Sequence, residues 1–204
     1  MKFQVSAKDK KTLCKQAPEF REVVRRIELD GFECNGDLFH ALVQSIISQQ
    51  LSIKAADTIY NRVEQLLGPI TAENLKSAAV EELRACGLSA RKIEYLRGIT
   101  DAVLSGRIDF DALARLPDEE IMKELVKLKG VGEWTAEMLL IFALGRPDVL
   151  SFKDLGIRRG IMLLNKLEEL TEEDFEVYRK RYSPYGTLAS LYLWRIKDGG
   201  LSVK

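Results

Sequence analysis

The chain has 204 residues, of which 46% are hydrophobic, enough to bury a core as one large domain or as two small lobes. Lys plus Arg and Asp plus Glu number 31 each, so the formal net charge is zero, and nucleic-acid binding by bulk charge is disfavoured unless a local basic face or backbone groups take that role. No apolar run is long enough to cross a membrane, Met1 to Lys11 lack the apolar stretch of a secretory signal, and Cys14, Cys34 and Cys86 form no CxxC pair or Cys/His cluster, which argues against a disulfide framework, structural zinc or an iron–sulfur cluster. These features predict a soluble protein that is not exported and resides in a reducing compartment.

The dominant period along the chain is helical. Between Asp37 and Gln49, Phe39, Leu42, Val43, Ile46 and Ile47 recur at three- and four-residue steps, giving one apolar stripe. Thr58, Ile59, Val63, Leu66 and Leu67 continue the pattern until Gly68-Pro69 ends it. Further helices are predicted to start at Thr71, at Ser89, at Asp118 after Pro117, and at Thr171 with Asp174 as a capping-box pair. Polar/apolar alternation is nearly absent, so the expected fold is all-α with roughly ten helices of ordinary length. No linker or repeat divides the chain. The expected organisation is a lobe over 89–164 and a second lobe built from both chain ends, 1–88 and 165–204.

The most informative stretch runs from Leu116 to Gly160. Leu128-Lys129-Gly130-Val131-Gly132-Glu133-Trp134-Thr135-Ala136 places two glycines around one β-branched residue between two helical patterns. Such a hairpin lets backbone approach a ligand closely, and the following helix presents free N–H groups suited to a phosphate. Taken alone, Gly-Val-Gly reads as a tight helix–helix turn. The surrounding pattern is much longer. With Gly145-Arg146-Pro147-Asp148 and Asp154-Leu155-Gly156-Ile157-Arg158-Arg159-Gly160, it resembles the helix-hairpin-helix, Gly/Pro-rich loop and catalytic Asp of the helix-hairpin-helix DNA glycosylase superfamily. Within that superfamily the chain looks most like the 3-methyladenine DNA glycosylase II family. Two further blocks agree, Phe39 to Ala56 with Ser48-Gln49-Gln50-Leu51-Ser52, and Pro184-Tyr185-Gly186-Thr187-Leu188-Ala189 to Leu193-Trp194-Arg195.

The resemblance implies a two-lobed helical fold with the active-site cleft between lobes. It implies a glycosylase that flips alkylated purines out of damaged double-stranded DNA and hydrolyses the N-glycosidic bond in base excision repair, without a cofactor. Position assigns the DNA backbone grip to Lys129, Gly130, Val131, Gly132 and Thr135, with a monovalent cation on the hairpin carbonyls of Lys129 and Val131. Gln50 and Leu51 fall where the family places the wedge that fills the gap left by a flipped base. Asp154 reads locally as an ordinary N-cap aspartate; the resemblance makes it the catalytic carboxylate, stabilising an oxocarbenium sugar and orienting water. Trp134, Met138 and Trp194 map to the base pocket, where stacking on an electron-deficient purine gains a cation–π component. Met138 stands where some members have tyrosine, and Gly186 where arginine is common. Bifunctional members carry a Schiff-base lysine at the position of Trp134, so the expected enzyme is monofunctional, with no lyase activity.

His40, the lone histidine, is expected to be a helix-surface or hydrogen-bonded residue. Lys153, Arg158, Arg159, Arg91 and Lys92 are open between phosphate contacts and solvated helix faces. The partner is expected to be DNA, with no membrane and a monomeric state. The expected location is the cytoplasm, at the nucleoid, for a prokaryotic source and the nucleus for a eukaryotic one. A non-catalytic helix-hairpin-helix DNA-binding module, or a glycosylase for another purine lesion such as an oxidised base, is the alternative.

Overall fold

The structure is a computed structural model, which describes residues 2–200. In chain order it contains β1 (Lys2–Phe3), α1 (Ala7–Gln16), α2 (Phe20–Arg26), β2 (Phe32–Glu33), α3 (Leu38–Ser48), α4 (Ile53–Leu67), α5 (Ala72–Ser77), α6 (Val80–Ala85) and α7 (Ala90–Leu104). There follow α8 (Phe110–Leu113), α9 (Asp118–Leu125), α10 (Glu133–Phe142), α11 (Leu155–Asn165), α12 (Glu172–Tyr182), α13 (Gly186–Arg195) and a π-type turn, Ile196–Gly200. The fold is all-α apart from two short antiparallel strands, Lys2 opposite Glu33 and Phe3 opposite Phe32. Two residues per strand are too few to write an alternation into the sequence. For the same reason the helix count exceeds the expected ten, because α5, α6 and α8 are only four to six residues long.

Side-chain caps set most helix starts. Asp37, Ser52, Thr71, Ser89 and Asp154 each accept a hydrogen bond from the backbone N–H three residues on, and Thr171 with Asp174 forms the capping box read from the sequence. At α9 the start lies one residue earlier than expected. Pro117 occupies the cap position and Asp118 is the first helical residue, where its charge still favours the helix dipole. Gly68 closes α4 with φ +69°, a conformation that favours glycine.

The chain divides into two compact units, Met1–Cys34 with Leu140–Lys204, and Asn35–Leu139. One unit is therefore built from both chain ends, but the divisions fall at 34/35 and 139/140 rather than at 88/89 and 164/165. The reason is packing: α7 lies against α3, α5 and α6, while α11 lies against α13 and the terminal turn. In the end-built unit, Leu13, Phe20, Val23, Ile157, Ile161, Phe175, Tyr182, Leu188, Tyr192 and Leu193 form one buried cluster. The sequence of α11 reads as one apolar side formed by Leu155, Ile157, Ile161 and Leu164, but Leu155 is half-exposed and Leu164 is only partly buried against the cluster. In the central unit the stripe predicted for α3 is buried at Leu42, Val43, Ile46 and Ile47, with Phe39 half-buried and tilted against Phe110.

Helices α11 and α13 meet at Gly160. A methyl group there would lie 2.6 Å from the Leu193 carbonyl oxygen and 2.8 Å from Leu193 Cβ. Gly160→Ala should therefore overpack the contact and destabilise the protein by about 1–3 kcal/mol. Gly98, exposed on α7 with nothing within 4 Å, should behave oppositely. Ala there should gain helix propensity worth about 1 kcal/mol. Thermal unfolding of the two variants should show opposite shifts in Tm.

Candidate active site and DNA-contacting turn

In the end-built unit, Asp154 stands at the start of α11 and is 9% exposed. Its Oδ1 accepts the Ile157 backbone N–H at 2.8 Å and the Trp194 indole N–H at 3.0 Å. The first bond is the cap legible in the sequence. The second links the carboxylate to a side chain forty positions away on α13, and it leaves the indole face available for stacking. Gly156 makes this approach possible, because a Cβ there would lie 2.8 Å from Trp194 Cδ1 and 3.0 Å from Asp154 Oδ1.

Phe142, at the end of α10, stacks on Trp194 with ring centroids 5.8 Å apart and 20° between planes, and remains 45% exposed. Phe32 of β2 packs tilted against Phe142 at 5.3 Å, and Phe3 stacks on Phe32 at 5.1 Å. An aromatic ladder thus runs from the small sheet to the tryptophan that touches Asp154. No reading of the sequence singled out Phe142. Its spacing of four and eight residues from Met138 and Trp134 on α10 was the available signal.

The loop that delivers Asp154 is stitched to α13. Asp148 accepts the Gly186 backbone N–H at 2.9 Å and the Ser183 hydroxyl at 2.6 Å. Thr187 donates its backbone N–H to Pro147 O and its hydroxyl to Arg146 O, and its oxygen accepts the Val149 N–H. Ser190 donates to Val149 O. Gly186 fits because a Cβ would meet Asp148 Oδ1 at 2.8 Å, so Asp148 contacts the backbone directly at this position. Arg158 lies over the Phe152 ring at 5.1 Å.

In the central unit, α9 and α10 flank the hairpin. Gly130 has φ +92°, and a Cβ would come within 2.3 Å of the Tyr95 ring, so only glycine fits. The Val131 N–H bonds to Leu128 O, and Gly130 O accepts the Gln49 side-chain amide at 2.9 Å. Val131 and Thr135 are buried, so the hairpin offers a ligand mainly backbone, while the Lys129 ammonium forms an exposed ion pair with Glu94. Trp134 is 43% exposed and Met138 half-buried.

Between α3 and α4, Gln50 adopts φ +59° and is exposed, and Leu51 is 38% exposed. Ser45, Gln49, Gln50, Leu51, Gly130, Gly132, Trp134 and Thr135 line one cavity of about 570 Å³, which brings the expected wedge turn and hairpin together within this unit. Lys92 faces inward, donating to Ile47 O and Gln49 O, so it is not a freely solvated residue. Burial pushes its ammonium below the usual lysine range. His40 shares a 2.5 Å hydrogen bond with the Tyr60 hydroxyl, as expected of a structural histidine.

The pattern of the HhH-GPD superfamily base excision DNA repair proteins matches residues 43–184. The chain belongs to this superfamily. It is 39% identical over 162 residues to DNA-3-methyladenine glycosylase 1 of Schizosaccharomyces pombe, covering 77% of this chain and 71% of that one. It is 34% identical to the DNA-3-methyladenine glycosylase of Saccharomyces cerevisiae, spanning 82% of this chain but only 60% of that relative. Among solved structures it is similar to a DNA-3-methyladenine glycosidase from Bacillus halodurans, with TM-score 0.83 and 39% identity, covering 97% of this chain and 92% of the other. It also resembles the Schizosaccharomyces pombe 3-methyladenine DNA glycosylase in complex with abasic DNA, with TM-score 0.79, 33% identity, and coverage of 94% and 97%.

The close fit at Gly156 gives a direct test. Gly156→Ala should push the indole of Trp194 off Asp154. With only two tryptophans in the chain, one of two indole ¹⁵N–H resonances should move markedly. Two unchanged resonances would contradict the packing.

Proposed function

We propose that this protein is a DNA glycosylase that removes alkylated purines of the 3-methyladenine type from duplex DNA in base excision repair, and that it is monofunctional. The reading is carried by Asp154, a largely buried carboxylate held by the Ile157 N–H and by the indole of Trp194. The relatives named above support the substrate class.

In this reading the damaged nucleotide is extruded from the helix, and the base is read by stacking on aromatic faces. Trp194 has its plane fixed by the bond to Asp154 and by Phe142, while Trp134 and Met138 are the contacts we assign on α10. An N-alkylated purine carries positive charge, so the electron pair of the breaking C1′–N bond neutralises the departing base. The sugar is left as an oxocarbenium ion, which the Asp154 carboxylate stabilises. Water then bonds to C1′ and gives up its proton, assisted by the same carboxylate. The products are free base and an abasic site in an unbroken strand. Trp134 has no amine with which to form an imine at the position where bifunctional relatives carry lysine.

We assign the DNA backbone to Lys129, Gly130, Val131, Gly132 and Thr135, acting largely through peptide groups, which a net charge of zero permits. The family resemblance implies a monovalent cation on the hairpin carbonyls, and we assign it, by position, to those of Lys129 and Val131. Gln50 and Leu51 are assigned as the wedge.

Asp154→Asn should slow single-turnover base release by on the order of 10²–10⁴ while salt-dependent duplex binding persists. Borohydride should trap no protein–DNA imine. Undiminished release by the variant would overturn the role of Asp154, and a trapped imine would overturn the monofunctional assignment.

A further inference from the structure

The turn assigned as the wedge is fixed at its base from two directions. Lys92, on the first turn of α7, donates from Nζ to Ile47 O at 2.7 Å and to Gln49 O at 2.8 Å, closing the C-terminal end of α3 where carbonyls lack helical partners. Gln49 then turns its side-chain amide to Gly130 O in the hairpin. Helix α7 also supports the hairpin directly, with Tyr95 filling the space that Gly130 leaves and Glu94 pairing with Lys129. One helix therefore braces the hairpin and the wedge turn together.

Beyond this clasp the chain is strained and exposed. Gln50 sits in the left-handed region, which a non-glycine residue holds only when its surroundings impose it. Leu51 is 38% exposed and Ile53 83% exposed at the tip of this turn. A rigid base beneath an exposed apolar tip is what a wedge needs, since a soft turn would yield instead of separating stacked bases.

We infer that Lys92 and Gln49 are positioning residues that hold the wedge turn rigid against the hairpin, so that gripping the DNA backbone and filling the gap left by the extruded base occur as one event. This rests on the glycosylase reading. It predicts a selective defect. Weakening the clasp should impair the step that opposes base pairing and spare bond cleavage, because extrusion costs least when the base is unpaired.

The test compares single-turnover release of 7-methylguanine from two duplexes, one with the lesion opposite cytosine and one with it opposite an abasic site. Lys92→Met and Gln49→Ala should each slow release from the paired duplex by about tenfold or more and from the unpaired duplex by less than about threefold. Lys92→Arg, which can still donate to both carbonyls, should restore most of the paired rate. An equal loss on both duplexes, or no loss, would overturn the inference. Should Lys92→Met melt below the assay temperature, Gln49→Ala decides alone, since it leaves the Lys92 bonds in place. If the unaltered protein releases 7-methylguanine from neither duplex, the same comparison is made with 3-methyladenine or 1,N6-ethenoadenine, whichever it releases; release of none of them would instead refute the 3-methyladenine-type glycosylase reading.

Discussion

The double hydrogen bond to Asp154 Oδ1 is the constraint on which the end-built unit depends. One donor is the backbone of the carboxylate's own helix, and the other is the indole of Trp194 on α13. Meeting both requires α11 and α13 to approach closely, which Gly156 and Gly160 allow by lacking side chains. It also requires the loop before Asp154 to keep a fixed path, which Asp148, Thr187 and Ser190 provide through hydrogen bonds between the loop and α13. The aromatic ladder from Phe3 to Phe142 adds packing against the indole. In the proposed reaction, a carboxylate so held would be oriented before substrate arrives, leaving little reorganisation for the chemical step.

The central unit solves a different problem with the same economy of charge. The hairpin exposes peptide groups, because Gly130 can take φ +92° and Val131 and Thr135 are buried. A lysine that could have served as a phosphate contact is spent internally on the α3 carbonyls. Under the proposed assignment, recognition of DNA by this unit would depend on geometry more than on summed charge, consistent with the even balance of acidic and basic residues.

Much of this was legible in the sequence where the signal is local. Caps at Thr71, Ser89 and Thr171, the apolar stripe of α3 and the terminating Gly68 are short-range devices, and each is realised. The hairpin and Asp154 were placed by motif. What escaped depends on distant partners. The Trp194 bond to Asp154, the Phe142 stack and the inward turn of Lys92 join segments tens of residues apart, and no local period encodes them. Leu155 reads as apolar-side by spacing yet is exposed, because the first residue of a helix can face away from the core that its later turns join. The units divide at positions other than those expected for a similar reason, since the partners of α7 and α11 are fixed by tertiary packing.

The most direct measurement is base release by the unaltered protein. Duplexes carrying 3-methyladenine, 7-methylguanine, hypoxanthine or 1,N6-ethenoadenine would be incubated with it, free base quantified, and strand integrity examined before and after alkali. The account expects release of at least one alkylated purine, with the strand intact until alkali is added. Binding to these duplexes with no base released from any of them would contradict it.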